Sequence, residues 1–78
     1  MSATDVGAIS SFLAAGALAE RMRQHATAVE LYSRAVAANP SDISAIDGLI
    51  RALRRTGGGE IANAYQRYRE FVTARKSK

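Results

Sequence analysis

A single proline, Pro40, interrupts the chain directly after Asn39. No continuous helix runs through that pair, because the residue before a proline is pushed out of the α region. On both sides of it, apolar and small residues recur at helical spacing. Upstream, Ile9, Phe12, Leu13, Gly16, Ala19 and Met22 trace one stripe, and Ala28, Val29, Tyr32, Ala35 and Val36 trace a second. Downstream, Ile46, Leu49, Ile50 and Leu53 form a third, and Ile61, Ala64, Tyr65, Tyr68, Phe71 and Val72 a fourth. Thr56-Gly57-Gly58-Gly59 separates the last two, since glycine takes the left-handed conformation of a helix C-cap and is costly inside a helix. The spacing predicts helices over about 5–23, 26–38, 42–55 and 60–75, followed by a basic tail at 76–78. Ser2 and Asp5 suit the first helix start, and Ser41 or Asp42 suits the third as N-cap. Glu60 complements the start of the fourth helix, and Arg75, Lys76 and Lys78 its end.

Connections this short make consecutive helices antiparallel, so the expected fold is all-α, two helical hairpins joined at Pro40. Sixteen alanines, with few β-branched or aromatic residues, favour helix over sheet. A chain of 78 residues is one domain and buries only about 60% of its unfolded surface, so its core is thin and a partner surface is expected. The absence of Cys excludes disulfides, redox dithiols and thiolate metal sites, and one His cannot form a zinc cluster. No cofactor is expected. The apolar run from Val6 to Ala19 lacks a basic start, carries Ser10 and Ser11, and is too short to span a bilayer. The expected location is cytoplasmic.

With Ile9 as the first position of a 34-residue unit, Phe12, Gly16, Ala28, Tyr32, Ala35 and Pro40 fall where the tetratricopeptide pattern places its aromatic, small and closing residues. The chain thus resembles a tetratricopeptide repeat. Small Gly16 and Ala28 let two helix backbones approach, Phe12 and Tyr32 fill the space beside them, and Ala35 receives the next hairpin. Ala15 and Ala19 depart from the usual Leu and Tyr and leave the first hairpin lean. A second unit from Ile43 matches at Ile46, Leu49, Ile50 and Leu53, although Ile50 stands on the glycine position. Its last helix fits with two extra residues in the glycine turn, which puts Ala64 and Tyr68 on the small and aromatic positions. The resemblance covers about residues 9–75. The stretch AVELYSRAVAANPSDISAIDGLIRAL, followed by AYQRYREF, is also similar to the helical repeat domain of bacterial transcriptional activators.

The resemblance implies a non-catalytic protein-interaction module, a small adaptor or chaperone in a bacterial cytoplasm, that binds a partner protein or itself. It implies a right-handed superhelix fragment that binds partners along the first helix of each pair. Those positions here are Ser10, Leu13, Ala17, Glu20 and Arg21, then Ser44, Asp47, Arg51, Arg54 and Arg55. Leu13, Ala17 and Asp47 do not match the family's clamp for a peptide carboxylate, so no such clamp is expected.

Charge is uneven: residues 1–50 carry a net −2 and residues 51–78 a net +6. Arg51, Arg54 and Arg55 share neighbouring helix faces and suit an acidic partner segment through charge-assisted bonds. Arg67, Arg69, Arg75, Lys76 and Lys78 extend this basic half, so the alternative is an accessory protein that touches nucleic acid there. Tyr65, Tyr68, Phe71 and Val72 span more of helix four than one internal face requires. They are the expected surface for self-association or a partner, with helix one as a second. Catalytic parts are sparse: His25 reads as a solvated turn residue, and the glycine run lacks the Lys-Ser/Thr of a phosphate loop. Asp42 and Asp47 lie too far round the helix to form an acid/base pair.

Overall fold

The structure, a computed structural model, describes the backbone of residues 2–76 and the side chains of residues 11–76. The expected roles of the Ser2, Asp5, Ile9 and Ser10 side chains, and of residues 77–78 of the basic tail, lie outside the described residues. Four helices follow one another: α1 (Ser2–Arg21), α2 (His25–Ala38), α3 (Ile43–Arg55) and α4 (Gly59–Lys76), with no strand among the described residues.

Both hairpin turns are closed in the same way. At the end of α3, Gly57 adopts φ +83°, Thr56 N–H donates to Leu53 O at 3.1 Å and Gly58 N–H donates to the same carbonyl at 2.8 Å. At the end of α1, the left-handed position is held by Arg23 at φ +60°, with Arg23 N–H on Glu20 O at 3.0 Å and Gln24 N–H on Ala19 O at 2.8 Å. These six-to-one bonds satisfy carbonyls that a helix end otherwise leaves open. They end α1 two residues before the expected position 23, with Arg23 outside the helix. Between the hairpins, Asn39 Oδ1 accepts from Ser41 N–H at 3.3 Å, and Asp42 is the N-cap of α3, accepting from Ser44 N–H at 3.0 Å and Ala45 N–H at 3.4 Å.

Adjacent helices pack in sequence, and α1 also touches α3, whereas α2 and α4 do not touch. The slab, 34 × 28 × 15 Å, is therefore tighter along α1 and α3. α3 sits at its centre: Ala45, Ile46, Leu49, Ile50, Ala52 and Leu53 are all buried.

The tightest packing surrounds Tyr32, 3% exposed on α2. A Cβ built on Gly16 of α1 would lie 2.9 Å from its ring, and one on Gly48 of α3 would lie 2.5 Å away. The ring is thus enclosed by two backbones where only glycine fits. Ile50, read from the sequence as standing in for a glycine, is ordinary core, and Gly48 is the residue that lets α3 approach.

The fourth stripe needs correction. Val72 was expected on an outer contact surface, but it is 6% exposed and belongs to the core with Ala62, while Ile61 and Phe71 are each 56% exposed. Ala64 is exposed as well, and Tyr65 and Tyr68 are half-buried. Polar bonds fix this rotation of α4. Arg69 pairs with Asp47 of α3 through both carboxylate oxygens, Arg54 donates to Asn63 Oδ1 at 3.2 Å, and Tyr68 donates its hydroxyl proton to Pro40 O at 2.7 Å. An apolar pattern carries no information about these bonds, which turn Ala62 inward and Phe71 outward.

Candidate functional site: an arginine-lined cavity

Glu20, in the last turn of α1, is the hinge of the site. Its Oε1 accepts from the Tyr32 hydroxyl at 2.7 Å, and its two oxygens accept from Arg51 of α3 at 3.0 and 3.2 Å. One carboxylate therefore joins three helices, and the Arg51 contact is bidentate, the strong form of such pairs. The Arg51 bond, aided by the tyrosine hydroxyl, holds the Glu20 carboxyl below its ordinary 4.5 against the opposing effect of burial. Burial, followed by the Glu20 bond and charge, pushes Tyr32 up to about 12. Arg51 is raised by the same carboxylate.

Beside this knot lies a cavity of about 400 Å³ lined by Glu20, Arg21, Arg23, His25, Arg51 and Arg55. Three elements supply it: the end of α1 with its turn, the first residue of α2, and the last turns of α3. Four guanidiniums face one carboxylate, and that carboxylate is engaged by Arg51. Among the described residues, the side chains of Arg21, Arg23 and Arg55 have no hydrogen bond or ion pair. Gln24 gives α2 no side-chain cap, so the first N–H groups of that helix stay open, an arrangement that favours anions. His25 is the first residue of α2 and half-buried, and its Nδ1 is buried without a hydrogen-bond partner.

Of the ten residues expected along α1 and α3, the nine with described side chains do not form one surface. Glu20, Arg21, Arg51 and Arg55 come together at the cavity. Asp47 and Arg54 turn to α4, where Arg69 and Asn63 take them up. Leu13 is half-buried against the core, and Ala17 and Ser44 are exposed. The arginine trio 51, 54 and 55 is thus divided, and Arg23 and His25 take the place of Arg54 at the site. The charge count of residues 1–50 hid this, because Arg23 lies in the half with a net negative charge. A local signal exists: Arg-Met-Arg-Gln-His spans the helix break, where Arg21 complements the dipole at the end of α1 and two further basic residues follow within four positions.

A second cavity of about 410 Å³ lies along α4, lined by Ser41, Tyr68, Phe71, Val72, Arg75 and Lys76, with the Arg75 guanidinium 5.5 Å from the Phe71 ring centre. Leu18 of α1 and Met22 in the turn after it are 50% and 58% exposed. No helix among the described residues is long and apolar enough to cross a membrane, and no group of three or more His, Cys, Asp or Glu is placed to hold a metal ion.

Compared with protein-family models, curated proteins and solved structures, the chain finds no match.

Proposed function

We propose that the chain is a non-catalytic, tetratricopeptide-like interaction module that takes an acidic segment of a partner protein at the arginine-lined cavity. The observation that carries this reading is the meeting of Arg21, Arg23 and Arg55 at one cavity with no carboxylate partner among the described residues. Like charges held together repel, and the arrangement is relieved when an anion enters. Acidic side chains suit it because arginine forks bind carboxylates in two-point fashion. Contact between α1 and α3, without contact between α2 and α4, supports the repeat-like stacking.

Titration of a fluorescent glutamate-rich peptide tests the reading, with a DNA duplex of equal charge as competitor. The peptide binds, and Arg21→Glu with Arg55→Glu abolishes the binding. Preference for the duplex, with a steep loss in salt and no peptide binding, overturns the reading in favour of nucleic acid.

A second contact, with another copy of the chain, is supported by Ile61 and Phe71 on α4 and by Leu18 on α1 with Met22 just after it, all at least half exposed, on helices that do not touch among the described residues. Stacking α4 of one copy on α1 of the next covers all four. Sedimentation velocity then shows concentration-dependent assembly that Phe71→Glu removes, and a wild-type chain that stays monomeric refutes the contact.

A further inference from the structure

We infer that the cavity is built for a phosphate monoester dianion carried on the partner segment, in preference to a carboxylate. This rests on the reading of the cavity as the partner site and names the group it holds. Charge balance gives the first argument. With Arg51 committed to Glu20, three guanidiniums remain without a partner among the described residues. A carboxylate brings one charge and two oxygens, whereas a phosphate monoester brings about −1.5 to −2 and three acceptor oxygens near neutral pH. Only the second offers an oxygen to each of Arg21, Arg23 and Arg55.

The backbone gives a second, independent argument. Arg23 stands at φ +60°, in the position that glycine fills at the end of α3. A non-glycine residue there is strained, and in this turn glycine would serve the geometry better. The strained residue is a cation at the mouth of a cationic cavity, which is the pattern of strain retained at a binding site. The start of α2 adds a third: His25 lines the cavity and opens a helix whose first N–H groups lack a side-chain cap. Uncapped helix starts of this kind hold phosphate oxygens.

Calorimetric titration of the full chain with four probes tests the assignment. These are a phosphoserine peptide, the same peptide with glutamate at that site, the unmodified serine peptide, and inorganic phosphate. The phosphoserine peptide binds about tenfold or more tighter than the other three. Arg23→Gly weakens it about tenfold while raising the melting temperature, a pairing that a damaged fold would not give. Arg54→Gln, whose side chain bonds Asn63 of α4 and does not line the cavity, leaves the affinity unchanged.

Equal affinity for the glutamate and phosphoserine peptides overturns the phosphate assignment and leaves the acidic-segment reading standing. Equal affinity for inorganic phosphate and the phosphoserine peptide overturns the partner-borne source. Binding of none of the four overturns both readings.

Discussion

Replacing Gly48 with alanine sets two effects of opposite sign against each other. Alanine is favoured over glycine inside a helix by about 1 kcal/mol. Against that, the new methyl would lie 2.5 Å from Tyr32 Cε1 and 2.6 Å from Cζ. Carbon atoms rest at about 3.5–4.0 Å, so ring or helix must move by about 1 Å. The ring has little room, because a Cβ added at Gly16 would also lie only 2.9 Å from it and its hydroxyl is tied to Glu20 at 2.7 Å. Overpacking of this kind costs about 1–3 kcal/mol, and moving the ring away from the carboxylate forfeits a further 1.5–3 kcal/mol or so. The net expectation for Gly48→Ala is a loss of about 2 kcal/mol, a fall of about 10 °C in melting temperature for a domain of this size. Thermal and urea melts followed by circular dichroism read this directly. Gly59→Ala, with nothing within 4 Å of the added carbon, is the control and stays neutral or gains a few tenths of a kcal/mol. In the double variant Gly48→Ala with Tyr32→Leu, the smaller side chain admits the methyl, so the combined loss falls below the sum of the two. A Gly48→Ala protein as stable as the parent refutes the enclosure of Tyr32 by two glycines.

The other expectations are independent of that one. Arg23→Gly relieves the left-handed strain and raises stability by about 0.5–1 kcal/mol, seen as a melting temperature about 3–6 °C higher. Tyr32 ionises near 10 when unfolded and near 12 when folded, so its contribution is fully present below pH 10. It disappears as pH rises to 12, a loss of about 2–3 kcal/mol measurable by urea melts across that window. Glu20 behaves in the opposite sense, since its lowered carboxyl contributes above its unfolded value of 4.5 and the contribution is lost as pH falls through the folded value. Acid melts of Glu20→Gln, less sensitive to pH than the parent in that range, check it. Val72→Ala costs about 1–2 kcal/mol in a urea melt, whereas Phe71→Ala, at an exposed position, changes stability by no more than about 0.5 kcal/mol.

Residues 12 to 53 were read closely from the sequence because their signal is local. Asn39-Pro40 stops one helix, Asp42 starts the next, and the buried stripe of α3 alternates with helical period. Gly16 and Tyr32 were legible as partners, since a small residue facing an aromatic one is a packing statement. Gly48 was missed because it lies 32 residues beyond Gly16, outside the 34-residue spacing, and its role depends on how closely α3 approaches. The rotation of α4 was misread for a different reason. Ile61, Ala64 and Phe71 make a better apolar stripe than Ala62 and Val72, but Arg69, Asn63 and Tyr68 bond to α3 and to Pro40, across sequence separations that a periodicity does not register. The site was half visible: Glu20, Arg21, Arg51 and Arg55 were expected positions, while Arg23 and His25 join them only once the α1–α2 turn is closed.

Among the four helices, α4 alone rests against a single neighbour. Its Asp47–Arg69 and Arg54–Asn63 links and the Tyr68 tether to Pro40 are among its polar ties to the rest of the chain. Detaching it uncovers one side of α3 and leaves Tyr32 and the cavity lining in place. Amide exchange therefore proceeds fastest in this C-terminal rod, and the other three helices exchange later and together. The arginine-lined cavity and the apolar outer flank of α4 thus sit on parts of the molecule that open at different free energies, so losing one does not require losing the other.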